Sequence, residues 1–311
     1  MTPVSARFVM RNVVRVTSAF SIREQLRNIP ELDRFSTLRP KLTLLDAIYR
    51  FAPAVRLHPD DIYRPTSVPL YLSNVQMRRH RPWWFDVHIL GPGWVDAQSL
   101  ISQSSGGQHS GQGTERTNFF LEIRQWVDET RRGRLAVAEC YVHFRPAPNG
   151  GGDWDVQYWF FYAYNGDITT GADFEHEGDW EHVTVRIPAD FLSIDRVFYH
   201  VHNNESVWRE RGEFEQAHGE HVVVYSAYHT HATYWDSGEQ DREWLPDDHT
   251  ADGGPEWRTW DVLRLVGQRE HPRPGQQWIK YTGHWGQIGT KISWLSGPYG
   301  PAFQRYWDED T

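Results

Sequence analysis

Three carboxylates alternate within one short segment of the sequence, at Glu177, Asp179 and Glu181. Residues two apart in a strand point to the same face, so all three carboxylates are predicted on one side of a sheet. Carboxylates packed this densely repel one another unless they are exposed, protonated or neutralised by a cation. The alternative without a function is a solvent-exposed strand face whose carboxylates pair with arginines. Aromatic flanking segments and a surplus of histidines favour a site that does chemistry.

Histidines also recur two residues apart, at His229 and His231 and again at His200 and His202. In extended segments the imidazoles of each pair point the same way, which suits shared metal coordination or an acid–base pair. A single pair of this kind is more often a satisfied core or surface pair, but two such pairs beside a carboxylate cluster point more strongly to a site. We therefore predict His229 and His231 as general base or additional ligand, with Glu177 as a further catalytic residue.

The donor types around residue 180 decide which metal is expected. Gly178 permits a bulge or turn that brings His176 round to Asp179 and Glu181, and these three are the predicted ligands. Carboxylates with one imidazole suit Mg²⁺, Ca²⁺ or Mn²⁺. Zinc or iron becomes plausible if His229 or His231 joins.

Several other functional classes are disfavoured by the sequence. No Gly-x-Ser-x-Gly elbow, P-loop or dinucleotide fingerprint is present. The formal charge of -9 argues against nucleic-acid binding, and Arg81 with Trp83 and Trp84 is better explained as a solvated turn. The lone Cys140 is expected to be a small buried residue on a strand.

The elements that must position these residues are mostly strands. A helical extension is predicted over residues 1–50, followed by one β-rich domain over 51–311 with a β-sandwich core and a few peripheral helices. A helix is predicted for Phe119–Val127 from its apolar stripe. Asp60 and Asp61 are expected to cap a turn, and the acidic loop over residues 236–258 to be exposed, including Asp248. The strand predictions are 157–164, 182–187, 196–202 and 221–228.

Localisation is inferred from two features. No apolar run approaches transmembrane length, and arginines at positions 7, 11 and 15 interrupt any signal-peptide core. The Arg-rich, acid-poor start is loosely like a transit peptide, but an ordinary N-terminal helix is favoured. We therefore expect a cytoplasmic protein.

Five separated blocks, in order, resemble the vacuolar protein sorting-associated protein 62 family. The resemblance covers roughly residues 50–307 and supports the fold more than any activity. The blocks are Leu57-His58-Pro59-Asp60-Asp61 with Tyr63-Arg64-Pro65, Tyr158-Trp159-Phe160-Phe161-Tyr162 with Asn165-Gly166, His176-Glu177-Gly178-Asp179-Trp180-Glu181-His182, Ser226-Ala227-Tyr228-His229-Thr230-His231, and Tyr281-Thr282-Gly283-His284-Trp285-Gly286 with Gly297-Pro298-Tyr299-Gly300-Pro301.

A fainter resemblance links the same segment to the necrosis- and ethylene-inducing-like cytolysins. His176, Asp179 and Glu181 are similar to their His-x-x-Asp-Trp-Glu segment. The resemblance implies a β-sandwich that holds a divalent cation near a membrane-binding surface, with those three residues as ligands and Asp167 or Asp173 as a preceding acid. The sequence departs from these toxins because it lacks a signal-peptide core and a disulfide, which argues against extracellular lysis.

Three functions follow from this combination. The first is a divalent-metal-dependent hydrolase, lyase or cyclase acting on a small or lipid-like substrate, with Trp159, Trp180 or Trp235 beside it, although most of these tryptophans are expected in the core. The alternative is metal-dependent binding of a lipid or glycan, with peripheral membrane contact and no catalysis. The third is a purely structural cation.

Overall fold

Two long aromatic-rich segments form the centre of the fold. The computed structural model describes residues 42–309 apart from 82–84, 105–117, 125–127, 149, 167–174, 203–205, 243–245 and 290–295. The segment Trp154–Asn165 pairs antiparallel with His176–Ile187 along almost its whole length. Both segments are buried nearly throughout, because layers of structure cover both of their faces.

Within the described residues the chain is mostly β, as the composition predicts. The strands are β1 Ala54–Leu57, β2 Val75–Arg79, β3 Val87–Leu90, β4 Phe119–Ile123, β5 Cys140–Pro146, β6 Trp154–Asn165, β7 His176–Ile187, β8 Arg196–Tyr199, β9 Val207–Glu210, β10 Gln216–Ala217, β11 His221–Ser226, β12 Thr233–Tyr234, β13 Gly238–Gln240, β14 Asp248–Thr250, β15 Glu256–Arg258 and β16 Leu263–Leu265. The α-helices are α1 Leu44–Arg50, α2 Val68–Ser73, α3 Ala97–Ser104 and α4 Asp128–Arg131. The 3₁₀ segments are Leu135–Val137, Thr259–Asp261, Gln277–Lys280, Pro301–Phe303 and Arg305–Trp307.

The strands form two main sheets that pack in a sandwich-like arrangement. The larger sheet has the order β16-β5-β6-β7-β8-β9, and the second has the order β10-β11-β1-β15 with β12 beside β11. Hydroxyl groups cross between the two sheets: Tyr162 lies 3.0 Å from the Ser226 hydroxyl, and Tyr199 donates to the Val223 carbonyl at 3.1 Å. These bonds satisfy phenol groups that burial would otherwise leave unpaired.

The other face of the larger sheet carries the main aromatic core. Phe161 and Trp180 contact each other and also Trp285, with ring centroids 4.7 to 5.3 Å apart. The small sheet β3-β2-β4 and the C-terminal 3₁₀ segments contribute further side chains to this cluster. Trp159 and Trp180 are therefore core residues, as the sequence favours for most of the tryptophans.

The predicted helix over Phe119–Val127 is wrong in the part that the structure describes. Residues 119–123 form strand β4, which pairs antiparallel with β2, and all five are buried. An apolar run buried on both faces shows no alternation, so its spacing imitates the stripe of a helix. Trp126 and Val127 lie outside the described residues.

Two other local predictions, a helix that ends near residue 50 and a buried Cys140 on a strand, agree with the structure where it describes them. Helix α1 begins with a capping box between Thr43 and Asp46, and residues 1–41 lie outside the described part. Cys140 is fully buried on β5, and burial raises the pKa of its thiol well above the usual range. No helix among the described residues is long and apolar enough to cross a membrane.

Candidate ligand site

The carboxylates of β7 make contacts in different parts of the molecule. The Ile123 amide donates to Glu177 Oε2 at 2.6 Å, and Arg131 Nη2 lies 3.2 Å from Glu177 Oε1. Asp179 instead contacts His231, which follows strand β11. Between them, Gly178 has a φ of 64°, and a Cβ there would overlap the Trp285 carbonyl oxygen. The three carboxylates keep one register on β7, opposite Tyr164, Tyr162 and Phe160, as predicted for a single face, but they contact different groups along it.

A buried ionic core, formed by Asp61, Asp179 and His231, lies at the centre of the site. His231 Nδ1 is 2.8 Å from Asp179 Oδ2, and its Nε2 is 3.4 Å from Asp61 Oδ2. The second distance is that of an ion pair rather than of a well-formed hydrogen bond. The imidazole also stacks on Tyr162 with centroids 3.8 Å apart and planes inclined by 5°. Both ring nitrogens of His231 are thus directed at carboxylates.

The pKa shifts in this core follow from its contacts. Burial by itself lowers the pKa of His231, but its hydrogen bonds and charge interactions with Asp179 and Asp61 outweigh burial and raise the pKa to about 9. Burial acts to raise the pKa of Asp61, but its contact with the charged His231 imidazole and the bonds from the Tyr63 and His229 amides bring it below its ordinary value. A pKa of about 9 makes His231 an imidazolium at neutral pH, and its single positive charge offsets part of the negative charge of the two buried carboxylates.

Two further carboxylate–histidine pairs lie near the ionic core. His200 Nδ1 is 2.7 Å from Glu181 Oε2, and His202 Nε2 is 2.7 Å from Asp248 Oδ2. Burial, followed by the charge of Asp179, raises the pKa of Glu181 well above its usual range. Asp248 is almost fully buried, contrary to the prediction of an exposed acidic loop, because β14 pairs with β13 and carries it inward.

Glu177 is another buried acid whose pKa is shifted. Burial raises its pKa to about 7, although the Ile123 amide and Arg131 act in the opposite direction. Its two oxygens contact β4 and α4 respectively. Glu177 thus connects three elements of the fold.

The predicted extended geometry of His229-Thr230-His231 is wrong. Strand β11 ends at Ser226, and the chain then turns with φ values of 64° at His229 and 58° at His231. These left-handed values are uncommon for residues other than glycine and are found most often where function constrains the backbone. The turn separates the two imidazoles, so that His229 is half-exposed whereas His231 is buried.

A ribbon of aromatic side chains, defined by His58, Tyr63, Tyr164, Tyr228 and His229, lies beside the ionic core. Neighbouring rings along it have centroid separations of 5.0 Å (His58–Tyr228), 3.8 Å (Tyr228–His229), 5.3 Å (His229–Tyr63) and 4.9 Å (Tyr63–Tyr164). All of these rings except that of Tyr164 are half-exposed. The aromatic ribbon is therefore a continuous surface that solvent can reach.

Asp61 connects the aromatic ribbon to the ionic core. Its Oδ1 accepts the Tyr63 amide at 2.8 Å, which is the turn cap that the sequence predicts. Its Oδ2 accepts the His229 amide at 2.9 Å and also faces His231. One buried carboxylate thus fixes both the charged core and the backbone of two ribbon residues.

The charges beside the aromatic ribbon are nearly balanced. Arg131 lies 4.9 Å from the Tyr164 ring centre, and Arg64 donates to the His58 carbonyl at 3.1 Å. Asp60 and Glu175 are exposed. Burial is the main cause that raises the pKa of the Tyr164 phenol, and the hydrogen bond between its hydroxyl and Glu175 raises it further. With two cations and two exposed acids, this surface carries almost no net charge.

The predicted metal ligands have suitable donor types but are engaged with other groups. His176 Nδ1 donates to the Gly178 carbonyl at 2.9 Å, while Asp179 and Glu181 each direct one oxygen to an imidazole. Across the residues that the structure describes, no three His, Cys, Asp or Glu side chains are arranged as a metal-binding group. Asp167 and Asp173 lie outside the described residues.

Sequence reasoning missed most of the aromatic ribbon. Tyr63 and Tyr228 were parts of resembling blocks, but nothing in their spacing marked them as surface neighbours. They come together because β1 pairs in parallel with β11, which places the segments after Leu57 and Ser226 at the same edge. A parallel pairing of these two strands is the signal that a topology prediction would have needed.

The fold and the site together define a mostly β, sandwich-like protein built around a buried ionic core. The chain belongs to the vacuolar protein sorting-associated protein 62 family, whose model matches residues 8–241. A search of the curated proteins finds no match.

Among solved structures, the chain is similar to several necrosis- and ethylene-inducing-type proteins. One is Necrosis and Ethylene inducing Protein 2 from the causal agent of cocoa's witches' broom disease, at 15% identity and a TM-score of 0.36, covering 75% of this chain and 78% of that one. Another is NLPPya in complex with glucosamine, at 12% identity and a TM-score of 0.36, covering 74% and 78%. NLPPya in complex with mannosamine has 13% identity and a TM-score of 0.36, covering 75% and 80%.

Proposed function

We propose that the protein binds a neutral, polyhydroxylated ligand such as a glycan or the sugar of a lipid headgroup, and that it does so without catalysis. The observation that carries this proposal is the aromatic ribbon, in which four half-exposed rings are held in line beside a buried ionic core. Apolar faces of a sugar pack on aromatic rings, while a few placed polar groups fix its orientation.

The polar groups beside the aromatic ribbon suit hydroxyl partners. Asp60 and Glu175 offer exposed carboxylate acceptors. Nδ1 of His58 accepts the Asp60 amide at 3.2 Å, so Nε2 of the neutral ring carries the proton and can donate to a hydroxyl. The balance of Arg64 and Arg131 against these two acids favours an uncharged ligand over a strongly anionic or cationic one.

Binding is favoured over turnover by the state of the predicted catalytic residues. Both nitrogens of His231 face carboxylates, so this imidazole has no nitrogen left to accept a proton from a substrate. Glu177 is bonded to the Ile123 amide and Arg131. Of the three predicted catalytic residues, His229 is the one that is half-exposed, and we assign it a ligand contact.

The proposal is tested by titrating the full chain with sugars and following binding by calorimetry. Glucose, myo-inositol and glucosamine serve as probes, and a dissociation constant of about 1 mM for at least one of them is expected for a small ligand on an open surface. The Tyr63→Ala/Tyr228→Ala double variant is expected to bind about fivefold to 150-fold more weakly, since each of the two aromatic contacts contributes roughly 0.5–1.5 kcal/mol.

The matched control is Tyr49→Ala, which removes a half-buried tyrosine outside the aromatic ribbon. Its affinity is expected to equal that of the wild type. Absence of binding to every probe and to a broad glycan array would refute the proposal, as would an equal loss of affinity in the control variant.

A divalent cation at His176, Asp179 and Glu181 is a second proposal, and one observation favours it. Because the Gly178 carbonyl accepts from Nδ1 of His176, Nε2 is the remaining ring nitrogen, which is the orientation common among metal-binding histidines. Elemental analysis of the purified wild type and of Asp179→Ala/Glu181→Ala tests it. About one ion per chain that is lost in the variant supports this site. No bound ion after cation is added back rules it out.

A further inference from the structure

The imidazole of His58 has two roles at one end of the aromatic ribbon. Its Nδ1 accepts the backbone amide of Asp60 at 3.2 Å, and its ring centroid lies 5.0 Å from that of Tyr228. The ring therefore closes a tight turn with one nitrogen and extends the ribbon with its face. Nε2 is the ring nitrogen left for a ligand, and in this neutral tautomer it carries the proton.

The turn that His58 closes also carries Asp61. The Asp61 amide donates to the His58 carbonyl at 3.2 Å, and Arg64 Nη1 donates to the same carbonyl at 3.1 Å. The Asp61 carboxylate in turn accepts the amides of Tyr63 and His229. The conformation of this one turn thus fixes the ring of His58 and the backbone of Tyr63 and His229, which are three members of the aromatic ribbon.

Protonation of His58 is incompatible with this turn. An imidazolium carries hydrogen on both nitrogens, so Nδ1 can no longer accept from the Asp60 amide, and two N–H groups would face each other. The ring must rotate to avoid that contact, which takes it away from Tyr228 and leaves the amide without its acceptor. The charge of the Asp60 carboxylate attracts the imidazolium, which then competes with the ligand for that acceptor.

The charged groups that face His58 come from its own turn and from β14. Asp60 and Asp61 belong to the turn, Arg64 follows it, and His249 lies on β14. Burial is the main cause that lowers the pKa of His58, and the charges of His249 and Arg64 act in the same direction. Asp60 and Asp61 raise the pKa without restoring its ordinary value. His58 is therefore neutral at pH 7.5 and takes up its proton in moderately acid solution.

We propose that His58 makes the aromatic ribbon an acid-released binding surface, which holds its ligand while His58 is neutral and releases it when His58 is protonated. This inference rests on the proposed sugar binding and adds the regulation of the same site. Because only molecules with a neutral ring are competent to bind, the apparent dissociation constant rises as the inverse of their fraction.

Calorimetric titration of the full chain at pH 7.5 and pH 5.0 tests this release. Glucose and myo-inositol are the probes, because neither sugar titrates in this range. The dissociation constant is expected to be about threefold to 30-fold larger at pH 5.0, and the upper limit follows from the ordinary imidazole pKa of about 6.5. Circular dichroism at both pH values verifies that the chain is folded.

The His58→Asn variant separates the turn from the titration. The asparagine oxygen can accept the Asp60 amide as Nδ1 does, but it cannot be protonated in this range. Affinity is expected to be weaker than in the wild type at pH 7.5, because the ring contact with the ligand is lost, and to be the same at both pH values. An equal loss of affinity at pH 5.0 in this variant and in the wild type would overturn the proposal.

The matched control is His249→Asn, which removes the other imidazole that faces His58 and lies outside the aromatic ribbon. Because His249 acts to lower the pKa of His58, this variant is expected to lose at least as much affinity at pH 5.0 as the wild type does. A control variant that binds equally well at both pH values would assign the release to His249 and overturn the role of His58.

NMR spectra of the free, isotope-labelled protein give a readout that needs no sugar. The Nε2–H tautomer of His58 is expected at pH 7.5, together with an Asp60 amide resonance that shifts as His58 is protonated. An Asp60 amide that does not follow His58 overturns the proposal and leaves sugar binding intact. Absence of sugar binding at both pH values refutes the proposed function, and the regulation fails with it.

Discussion

The ionic core and the aromatic ribbon share Asp61 but differ in what their residues can do. In the core, Asp179 and His231 are buried and satisfy each other, so they stabilise the fold and are closed to a ligand. In the ribbon, Tyr63, Tyr228 and His229 are half-exposed, and Asp61 fixes the backbone amides of Tyr63 and His229. The comparison shows that titratable residues with suggestive spacing can serve as the support of a site, while its contact surface consists of aromatic residues.

The largest expected difference between the two regions is in stability. Asp179→Ala leaves the His231 imidazolium buried with only Asp61 as a counter-charge, and breaking a buried pair in this way costs roughly 3–5 kcal/mol. The free energy of unfolding, measured in urea, is expected to fall by that amount. The exposed Asp60→Ala is the control, with a change below about 0.5 kcal/mol. A loss of less than about 1 kcal/mol in Asp179→Ala would contradict a stabilising role for the core.

The pH dependence of stability gives the next largest effect. The pKa of His231 is raised to about 9 in the folded protein. A raised imidazole pKa contributes stability that is complete below the unfolded value of about 6.5 and is lost as pH rises through about 9, by up to roughly 3 kcal/mol. The free energy of unfolding should therefore decrease between about pH 7 and pH 9.5.

The His231→Gln variant isolates this contribution. It cannot be protonated, so the difference in slope between wild type and variant belongs to His231 and its two acids. The pKa of Glu177 is raised to about 7 in the folded protein, from about 4.3 in the unfolded chain. Its contribution to stability is therefore lost mainly between about pH 4 and pH 7, below the range in which His231 titrates. Parallel curves for wild type and variant above pH 7 would show that His231 is not charged in the folded protein.

A substitution with a smaller expected effect tests the geometry of the aromatic ribbon separately from the stability of the ionic core. A Cβ at Gly166 would meet Tyr63 Cε2 at 2.6 Å and His229 Cγ at 2.7 Å. Gly166→Ala is therefore expected to move both rings and to weaken sugar binding about threefold to tenfold, with roughly 1 kcal/mol of lost stability from overpacking. Gly91→Ala, whose Cβ would meet nothing closer than 3.8 Å, is the control. Unchanged affinity in Gly166→Ala would remove these two rings from the binding surface.

Much of the fold could be predicted from the sequence. Apolar runs located β6 and β11, which overlap the predicted strands 157–164 and 221–228. Strand β4 was mistaken for a helix because its burial on both faces removes the alternation that identifies a strand. The spacing of apolar residues distinguishes a strand from a helix only when one face of the element is exposed. When all faces are buried, the two can no longer be told apart by this spacing.

The site was located by sequence only in part. The types and spacing of Asp179, His231 and their neighbours identified the segments that carry the buried charges, because few folds tolerate so many ionisable residues without a specific arrangement. Tertiary structure decided how they are used: the left-handed turn at His229 and His231 directs one imidazole inward and the other outward. The parallel pairing of β1 with β11 then brings Asp61, from more than 100 residues earlier in the chain, against His231. Contacts between segments so far apart depend on strand order and register, which no local pattern of residues encodes.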